Sequence, residues 1–483
     1  MSIVTQIDLL IKRRTKIVAT VGPASSHPDT LKQLIQAGVN VFRLNMSHGD
    51  HDFHRTVYHH IREISGSQGD PVAVLADLCG PKIRTGKFKN GGITLQDGTQ
   101  VTVTMRNVIG ERGVIPSQYT ALADDVGKGN RILLNDGAME LRVDNIDATE
   151  VRCTVIHGGF LKDHKGINLP GASISAPSLT AKDMADARFV IDLGVDYIAL
   201  SFVRQASDLH ELKQMIESSG RQIGTIAKIE KPEALTKIDE ILGTADGIMV
   251  ARGDLGVELS PEEVPVAQCQ LIALARSRFK PVIVATQMLE SMIDNSRPTR
   301  AEVTDISYAV TLGTDAVMLS AESASGRFPL ESVRMMDRVV RQTEAYLWKT
   351  GCYGNPVAAG SLPSLPLWQT IADATASMSK NLSARAVLVI SHSGMSAATM
   401  SSARPAAPVL VLTKSPEVCR KLALLWGVVP ILSEETGLMN PNVLARDTAL
   451  QLGLAKAGQY ILLVRGFHGD PALNTPTITV LTV

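Results

Sequence analysis

Short, nearly unbroken runs of Val, Ile, Ala and Leu recur between residues 16 and 320, separated by longer stretches whose apolar positions repeat at helical spacing. The runs are Lys16 to Val21, Val39 to Leu44, Pro71 to Ala76, Asp196 to Ser201, Gln222 to Ile229, Gly247 to Ala251, Pro281 to Thr286 and Asp315 to Ser320. Runs without alternation belong to strands covered on both faces, as in a parallel sheet flanked by helices. A glycine stands before three of them, in Ala37-Gly38-Val39-Asn40, Leu193-Gly194-Val195-Asp196 and Leu312-Gly313-Thr314-Asp315, where a helix has to stop. Eight parallel strands with eight crossovers close naturally into a (βα)8 TIM barrel; an open doubly wound sheet is the alternative.

The period changes to two between about Phe88 and Asn168, as in Thr99 to Thr104 and Glu150 to Val155, with turn signals at Gln96-Asp97-Gly98 and Asn135-Asp136-Gly137. This predicts a β-barrel domain inserted after the third strand. It enters through Gly80-Pro81 and leaves through Leu169-Pro170-Gly171, so it overhangs the carboxyl ends of the strands and can act as a lid. A Gly/Pro/Ser-rich connection, Gly351 to Pro366, leads to a third unit. Its pattern predicts helix Leu367 to Asn381, strand Ala386 to Ile390, helix Met395 to Ala403, strand Pro408 to Leu412, helices Pro416 to Trp426 and Asn442 to Leu454, and strands Tyr460 to Val464 and Thr477 to Val483. That is a small open α/β sheet. The resulting division is a barrel over 1–80 and 171–345, a lid over 81–170 and a C-terminal domain over 346–483.

With 483 residues, 48 basic and 48 acidic, the chain is long enough for about three units and carries no net field to draw it onto nucleic acid or an anionic membrane. Cys79, Cys153, Cys269, Cys352 and Cys419 are scattered without metal-ligand spacing, which reads as reduced thiols. The opening Met1 to Gln6, followed by Asp8 and then Lys12-Arg13-Arg14, has the wrong order for a secretory signal, and no stretch approaches a membrane span. A cytoplasmic protein is expected.

The chemistry gathers where the runs end, the face on which barrels and open α/β sheets build their sites. Glu230 and Asp254 close strands one βα unit apart, and inward carboxylates so placed repel unless a cation joins them. Magnesium suits such a site, since it takes one or two protein carboxylates and completes its shell with water and substrate oxygens. Lys228 shares the face of Glu230, two residues away, and serves either a salt bridge to it, a ligand, or both. Arg43, behind the buried run and ahead of Asn45, Ser47 and His48, suits bidentate contact with phosphate or carboxylate. Asp77 and Arg84 bracket the outgoing lid connection, and Lys165 stands where the lid returns. His59 and His60 sit in a helical stretch and read as solvated. In the third unit, Ser391-His392-Ser393-Gly394-Met395-Ser396 sets hydroxyls and amides at a helix start, which describes an anion site or an ordinary N-cap turn.

Taken together, Lys16 to Pro23, Phe42 to Gly49, Gly80 to Gly86, Lys165 to Gly171, Ala227 to Glu230, Ala251 to Glu258 and Ala285 to Met292 resemble the motifs of the pyruvate kinase family, in the family's order and from end to end. The resemblance implies transfer of the phosphoryl group of phosphoenolpyruvate to ADP, with magnesium or manganese, in a homotetramer. It places Arg43 and Lys228 on the phosphoryl group, Glu230 and Asp254 on the metal, the Gly253 and Asp254 amides on the substrate carboxylate, and Thr286 beside the enolate carbon. Asn45, His48, Arg84 and Lys165 would meet the nucleotide and its second metal. Potassium-dependent members carry glutamate where this chain has Lys82, and commonly threonine where it has Leu78. Asn45, Ser47 and Asp77 therefore read as a vestigial monovalent-cation pocket with Lys82 as the substitute cation, and potassium is not expected to be required. Ser391, Ser393, Gly394 and Ser396, with Arg404, resemble the family's effector-phosphate loop; Met395 replaces the basic residue that favours a bisphosphate, so a sugar monophosphate or AMP is the expected activator. Two rivals are a magnesium-dependent barrel lyase or aldolase acting on pyruvate enolates and a non-catalytic metabolite sensor. The first has no use for Arg84, Lys165 and a nucleotide-closing lid, and the second has no reason to keep Lys228 and both carboxylates.

Overall fold

The computed structural model describes residues 13–172, 174–353, 366–467 and 474–483. The opening Met1 to Lys12 and most of the connection between Gly351 and Pro366 lie outside them. Eight strands, β1 (Lys16–Val21), β2 (Val41–Asn45), β3 (Ala73–Asp77), β4 (Tyr197–Leu200), β5 (Gly224–Ile229), β6 (Gly247–Ala251), β7 (Val282–Ala285) and β8 (Ala316–Leu319), close into a barrel in the order β1-β8-β7-β6-β5-β4-β3-β2. Every described pairing between them is parallel. The open doubly wound alternative is thereby excluded. Alternate side chains fill two separate apolar layers, as strands with two covered faces require. Val18, Val41, Leu75, Ile226, Met249 and Ile283 pack inside the barrel, whereas Ile17, Phe42, Val74, Ile198 and Ile248 pack outward against the helices. Gly194 and Gly313 end their helices at φ +82° and +86°, a left-handed conformation that costs glycine little.

The inserted β unit is a curled six-stranded sheet, running Ile167–Asn168, Arg131–Leu134, Met139–Asp147, Glu150–His157, Gln100–Thr104, Val114–Pro116, beside a two-stranded pair of Gly92–Leu95 and Gly159–Lys162. It has its own apolar core around Val103, Ile115, Leu134, Leu141 and Val155.

The C-terminal unit is a five-stranded sheet in the order β11-β10-β9-β12-β13, from β9 (Val387–Ile390), β10 (Val409–Thr413), β11 (Val428–Leu432), β12 (Tyr460–Arg465) and β13 (Thr477–Thr482), with only β13 antiparallel. Strand β11 was not foreseen in the sequence. The expected helix Pro416 to Trp426 stops at Lys421, continues as a 3₁₀ turn over Leu422–Leu424, and gives way to β11. That turn has a purpose in the fold: Ala423 and Leu424 join the apolar cluster inside the barrel and close its floor. Around this plug Tyr197 donates to the Lys421 carbonyl (2.9 Å), Arg420 pairs with Asp196 (2.9 Å) and Lys16 donates to the Val428 carbonyl (2.6 Å). Arg404, read from the sequence as part of the effector loop, lies at this junction instead. It pairs with Asp315 (3.1 Å), donates to the Gly313 carbonyl (2.6 Å) and stacks over Trp426, because a buried guanidinium needs a carboxylate and carbonyls and finds them here.

Leu424→Ala leaves a hole in the barrel floor, and the expected loss is about 2–4 kcal/mol, read as a lower unfolding midpoint by scanning calorimetry.

Candidate active site

The parallel register sets the carboxyl ends of β1 to β5 side by side. Arg43 lies opposite Thr20 of β1, Asn45 opposite Asp77, and Asp77 opposite Ala199 of β4. The Arg43 guanidinium donates through Nε to Asp77 Oδ2 (2.7 Å) and through one terminal nitrogen to Thr20 Oγ1 (3.0 Å). Lys228 Nζ lies 3.2 Å from Asp77 Oδ1, 2.9 Å from Glu230 Oε1 and 2.7 Å from Ser201 Oγ. Glu230 turns its other oxygen to the Phe202 amide (2.7 Å). One carboxylate, Asp77, thus holds both cations that the sequence singled out.

Electrostatics follow from this enclosure. Burial opposes charge on Lys228, but Asp77 and Glu230 outweigh it and keep the ammonium above the ordinary lysine range. Burial likewise opposes charge on Asp77, and Lys228 and Arg43 prevail, so its carboxyl is depressed. Glu230 and Asp254 go the other way. Burial raises both, and Glu230 is raised further by the neighbouring Asp254 charge, more than Lys228 offsets. Two neighbouring carboxylates, one buried and one half-buried at the cleft, that are both short of positive charge are what a divalent cation relieves. Among the described residues no group of three or more His, Cys, Asp or Glu forms a metal cage, so the donor set fits magnesium held by two carboxylates and substrate oxygens.

Thr286 follows β7 in a left-handed conformation, φ +71°, with Gln287 at +55°, a backbone that a β-branched residue rarely adopts. Its support is Arg252, which the sequence reading passed over although it sits inside the Ala251-Arg252-Gly253-Asp254 segment. Arg252 donates to the carbonyls of Ala285 (3.2 Å) and Thr286 (2.6 Å) and pairs with Asp305 (2.6 Å). The Gly253 amide donates to Thr286 Oγ1 (2.7 Å), so a substrate carboxylate meeting this amide has to exchange that bond.

Between barrel and lid lies a cleft of about 320 Å³, walled by Lys82, Arg84, His164, Lys165, Arg204 and Lys231 with Asp254 and Asp136. His48 is held below the ordinary histidine range by burial and by Lys82, Arg84 and Arg43, and Lys82 is lowered by burial and by Arg84 and Lys228. Lys82, Arg84, Lys165, Arg204 and Lys231 therefore make one electropositive rim, suited to a polyanion. The lid touches the helix Arg252–Glu258: Asn168 donates to Glu258 (3.4 Å), which pairs with the buried Lys231 (2.5 Å). Asn45 accepts from the Ser47 amide (3.1 Å) through its side chain. The loop Ser391 to Ser396 stands apart, after β9 in the C-terminal sheet, where Ser391 Oγ accepts from the Gly394 amide (3.0 Å) and from Ser396 Oγ (3.2 Å). Ser201, Thr20, Phe202 and Arg252 are the site residues that the sequence did not yield. Ser201 closes an apolar run, a signal that was present; Phe202 offers only its backbone and left none.

A barrel whose rim gathers an arginine, a lysine, two cation-seeking carboxylates and a cationic cleft under a lid defines a phosphotransferase of the metal-assisted kind. Comparison with known proteins agrees. The family model "Pyruvate kinase, barrel domain" matches residues 12–333 and "Pyruvate kinase, alpha/beta domain" matches residues 369–481. The pyruvate kinase of Mycobacterium intracellulare is 42% identical over 462 residues, covering 94% of this chain and 95% of that protein. Pyruvate kinase 2 of Synechocystis is 45% identical over 427 residues, covering 87% and 71%. A crystal structure of a pyruvate kinase from Cryptosporidium parvum superposes with a TM-score of 0.89 at 33% identity, covering 98% and 97% of the two chains. The chain belongs to the pyruvate kinase family, whose members are generally magnesium-dependent; its reaction is phosphoryl transfer from phosphoenolpyruvate to ADP, giving pyruvate and ATP.

Asp77→Asn removes the charge that aims both Arg43 and Lys228. The expected result is a fall in kcat of roughly a hundredfold with a smaller change in KM for phosphoenolpyruvate, measured by steady-state kinetics.

Proposed function

We propose that Lys228 and Arg43 hold the migrating phosphoryl group, that Glu230 and Asp254 bind magnesium, and that Thr286 stands beside the enolate carbon. The observation that carries this reading is the shared Asp77 with its two cations, set against the buried Glu230 and the half-buried Asp254, whose carboxyls are both raised. Magnesium bound there supplies neutralising charge to phosphoryl and enolate oxygens. Arg43 orients the phosphoryl group, and Lys228, kept protonated, offsets negative charge as the enolate forms. Thr286 Oγ1, already in a hydrogen bond with Gly253, is placed to relay a proton to carbon by way of water. Asn45, His48, Arg84 and Lys165 receive the nucleotide, the last as the lid closes. In this reading the barrel comprises 1–80 and 171–345, the lid 81–170 and the regulatory domain 346–483.

The potassium requirement is replaced by Lys82. Its side chain lines the cleft beside Arg84 and lies within electrostatic range of His48 and Lys228, which supports a positive charge brought in by the chain itself in place of a monovalent ion, although burial and the cationic neighbours hold that ammonium below the ordinary lysine range. Regulation falls to the loop of Ser391, Ser393, Gly394 and Ser396, with a sugar monophosphate or AMP as ligand. The exposed Met395 supplies no charge for a second phosphate. A homotetramer accounts for Val266, Tyr308 and Tyr346 exposed on barrel helices and for Val480 exposed on the edge strand β13 of the C-terminal sheet. No helix among the described residues is long and apolar enough to cross a membrane, in keeping with a cytoplasmic enzyme.

A lactate dehydrogenase-coupled assay in sodium-free Tris buffer tests the reaction and the cation together. Pyruvate should form only when ADP and magnesium accompany phosphoenolpyruvate, and added potassium should leave the rate within about twofold, whereas Lys82→Gln should lower the rate and restore a potassium response. ADP-independent pyruvate would point to a lyase; a strong potassium requirement in the parent would sink the substitution by Lys82. Sedimentation should give a particle of four chains, and glucose 6-phosphate or AMP should shift its phosphoenolpyruvate saturation curve to lower concentration; a panel of phosphorylated effectors without influence on that curve removes the regulatory reading.

A further inference from the structure

The two connections of the lid meet the active site at one dipeptide, Ser201-Phe202, just beyond β4. Ser201 Oγ donates to the carbonyl of Leu78 (2.7 Å), on the outgoing connection, and accepts the hydrogen bond of Lys228 Nζ (2.7 Å). The Phe202 carbonyl accepts from Ser178 Oγ (2.9 Å), on the returning connection, while its amide donates to Glu230 (2.7 Å). A third link fixes the crossing point. Asp183 accepts the Gly80 amide (3.0 Å) through one oxygen and the Thr180 amide (3.0 Å) through the other, tying both connections to one carboxylate.

Two features make this junction tight. Phe202 has φ +55°, a left-handed conformation that an aromatic residue keeps only when its surroundings impose it. Its amide and its carbonyl are each engaged, so losing either bond lets the residue relax and swings the other group away. Gly80, at φ +67°, passes so close that a Cβ there would lie 2.8 Å from the Phe202 ring and 2.9 Å from Ser201 Cβ. The outgoing connection therefore cannot turn without pressing on the dipeptide.

We propose that Ser201 and Phe202 are positioning residues that couple the lid hinge to the reacting groups: Ser201 aims Lys228, and Phe202, braced by Ser178, aims Glu230. Rotation of the lid moves Leu78 and Ser178, and through two hydrogen bonds on each side it resets the lysine and the carboxylate. The proposal rests on the reading of Glu230 as a metal ligand and Lys228 as a phosphoryl ligand. It adds that their geometry is set from the hinge, outside the cleft.

Electron paramagnetic resonance of free Mn²⁺, titrated with the protein in the absence of nucleotide, separates the possibilities. Ser178→Ala should weaken Mn²⁺ binding about tenfold, the usual scale for removing a group that orients a metal ligand, and Ser178→Thr should restore it. Ser201→Ala should leave Mn²⁺ binding within about twofold while lowering kcat about tenfold, with KM for phosphoenolpyruvate little changed, as expected for one lost charge-assisted hydrogen bond to Lys228. Parent-like Mn²⁺ binding in Ser178→Ala together with parent-like kcat in Ser201→Ala would overturn the coupling. Glu230→Gln serves as the control: if it fails to weaken Mn²⁺ binding, the metal assignment falls and the coupling with it. If it abolishes binding while the serine variants behave as the parent, the coupling alone falls.

Discussion

Everything at the catalytic rim depends on the enclosure of charge around Asp77. Its carboxylate is almost fully withdrawn from water, and it survives as an anion only because Arg43 and Lys228 each give it a direct contact. The same contacts keep the two cations in fixed directions, since a buried ammonium or guanidinium that moved off its partner would bear an uncompensated desolvation cost of several kcal/mol. A flexible loop does not impose that constraint. The neighbouring parallel strands β2 to β5 do, because they bring Arg43 and Lys228 to the two oxygens of Asp77 at the barrel rim. Glu230 and Asp254 stand beside this network with their carboxyls raised, chiefly by burial and, for Glu230, by the neighbouring Asp254.

Rigidity at this rim is bought with strain. Thr286, Gln287 and Phe202 all occupy left-handed backbone, each at a cost of about 1–3 kcal/mol that the surrounding structure has to offset. Arg252 does so for Thr286 through two carbonyls and Asp305, and Ser178 with Glu230 does so for Phe202. The strained backbone turns the Thr286 hydroxyl to the Gly253 amide and the Phe202 amide to Glu230. Relaxed backbone at the same positions would point them elsewhere.

Much of this was legible in the sequence, for identifiable reasons. Fully covered strands write continuous apolar runs, so all eight barrel strands were recognisable, with ends displaced by no more than two residues. Arg43, Lys228 and Glu230, picked out at the ends of those runs, are brought into one network, and Asp77, read as a hinge and cation-pocket residue, proves to be its centre. What escaped was information that single residues do not carry. Strand β11 runs through Pro430 along one edge of its sheet, where proline is tolerated, and that proline breaks an otherwise apolar run, Val428 to Leu432. Arg404 looked like a phosphate ligand, since guanidinium chemistry is the same for a phosphate and for Asp315; only the packing of one domain on another distinguishes them. The sharing of Asp77 between two cations was likewise invisible, because each partner had a sufficient explanation by itself. Phe202 acts through its peptide groups, which every residue has.

The closure of the barrel floor by Ala423 and Leu424 makes the C-terminal unit a stopper for the bore of the barrel. Severed from that stopper, the bore would open an oily throat to solvent at the end opposite the chemistry, so the two units share a single cooperative fate although their sheets are built separately. The stopper also touches the amino ends of the very staves whose far ends hold the reacting charges, Tyr197 on the stave that leads to Ser201 being one of them. The C-terminal unit thus bears on the foot of β4, the strand whose other end leads into Ser201.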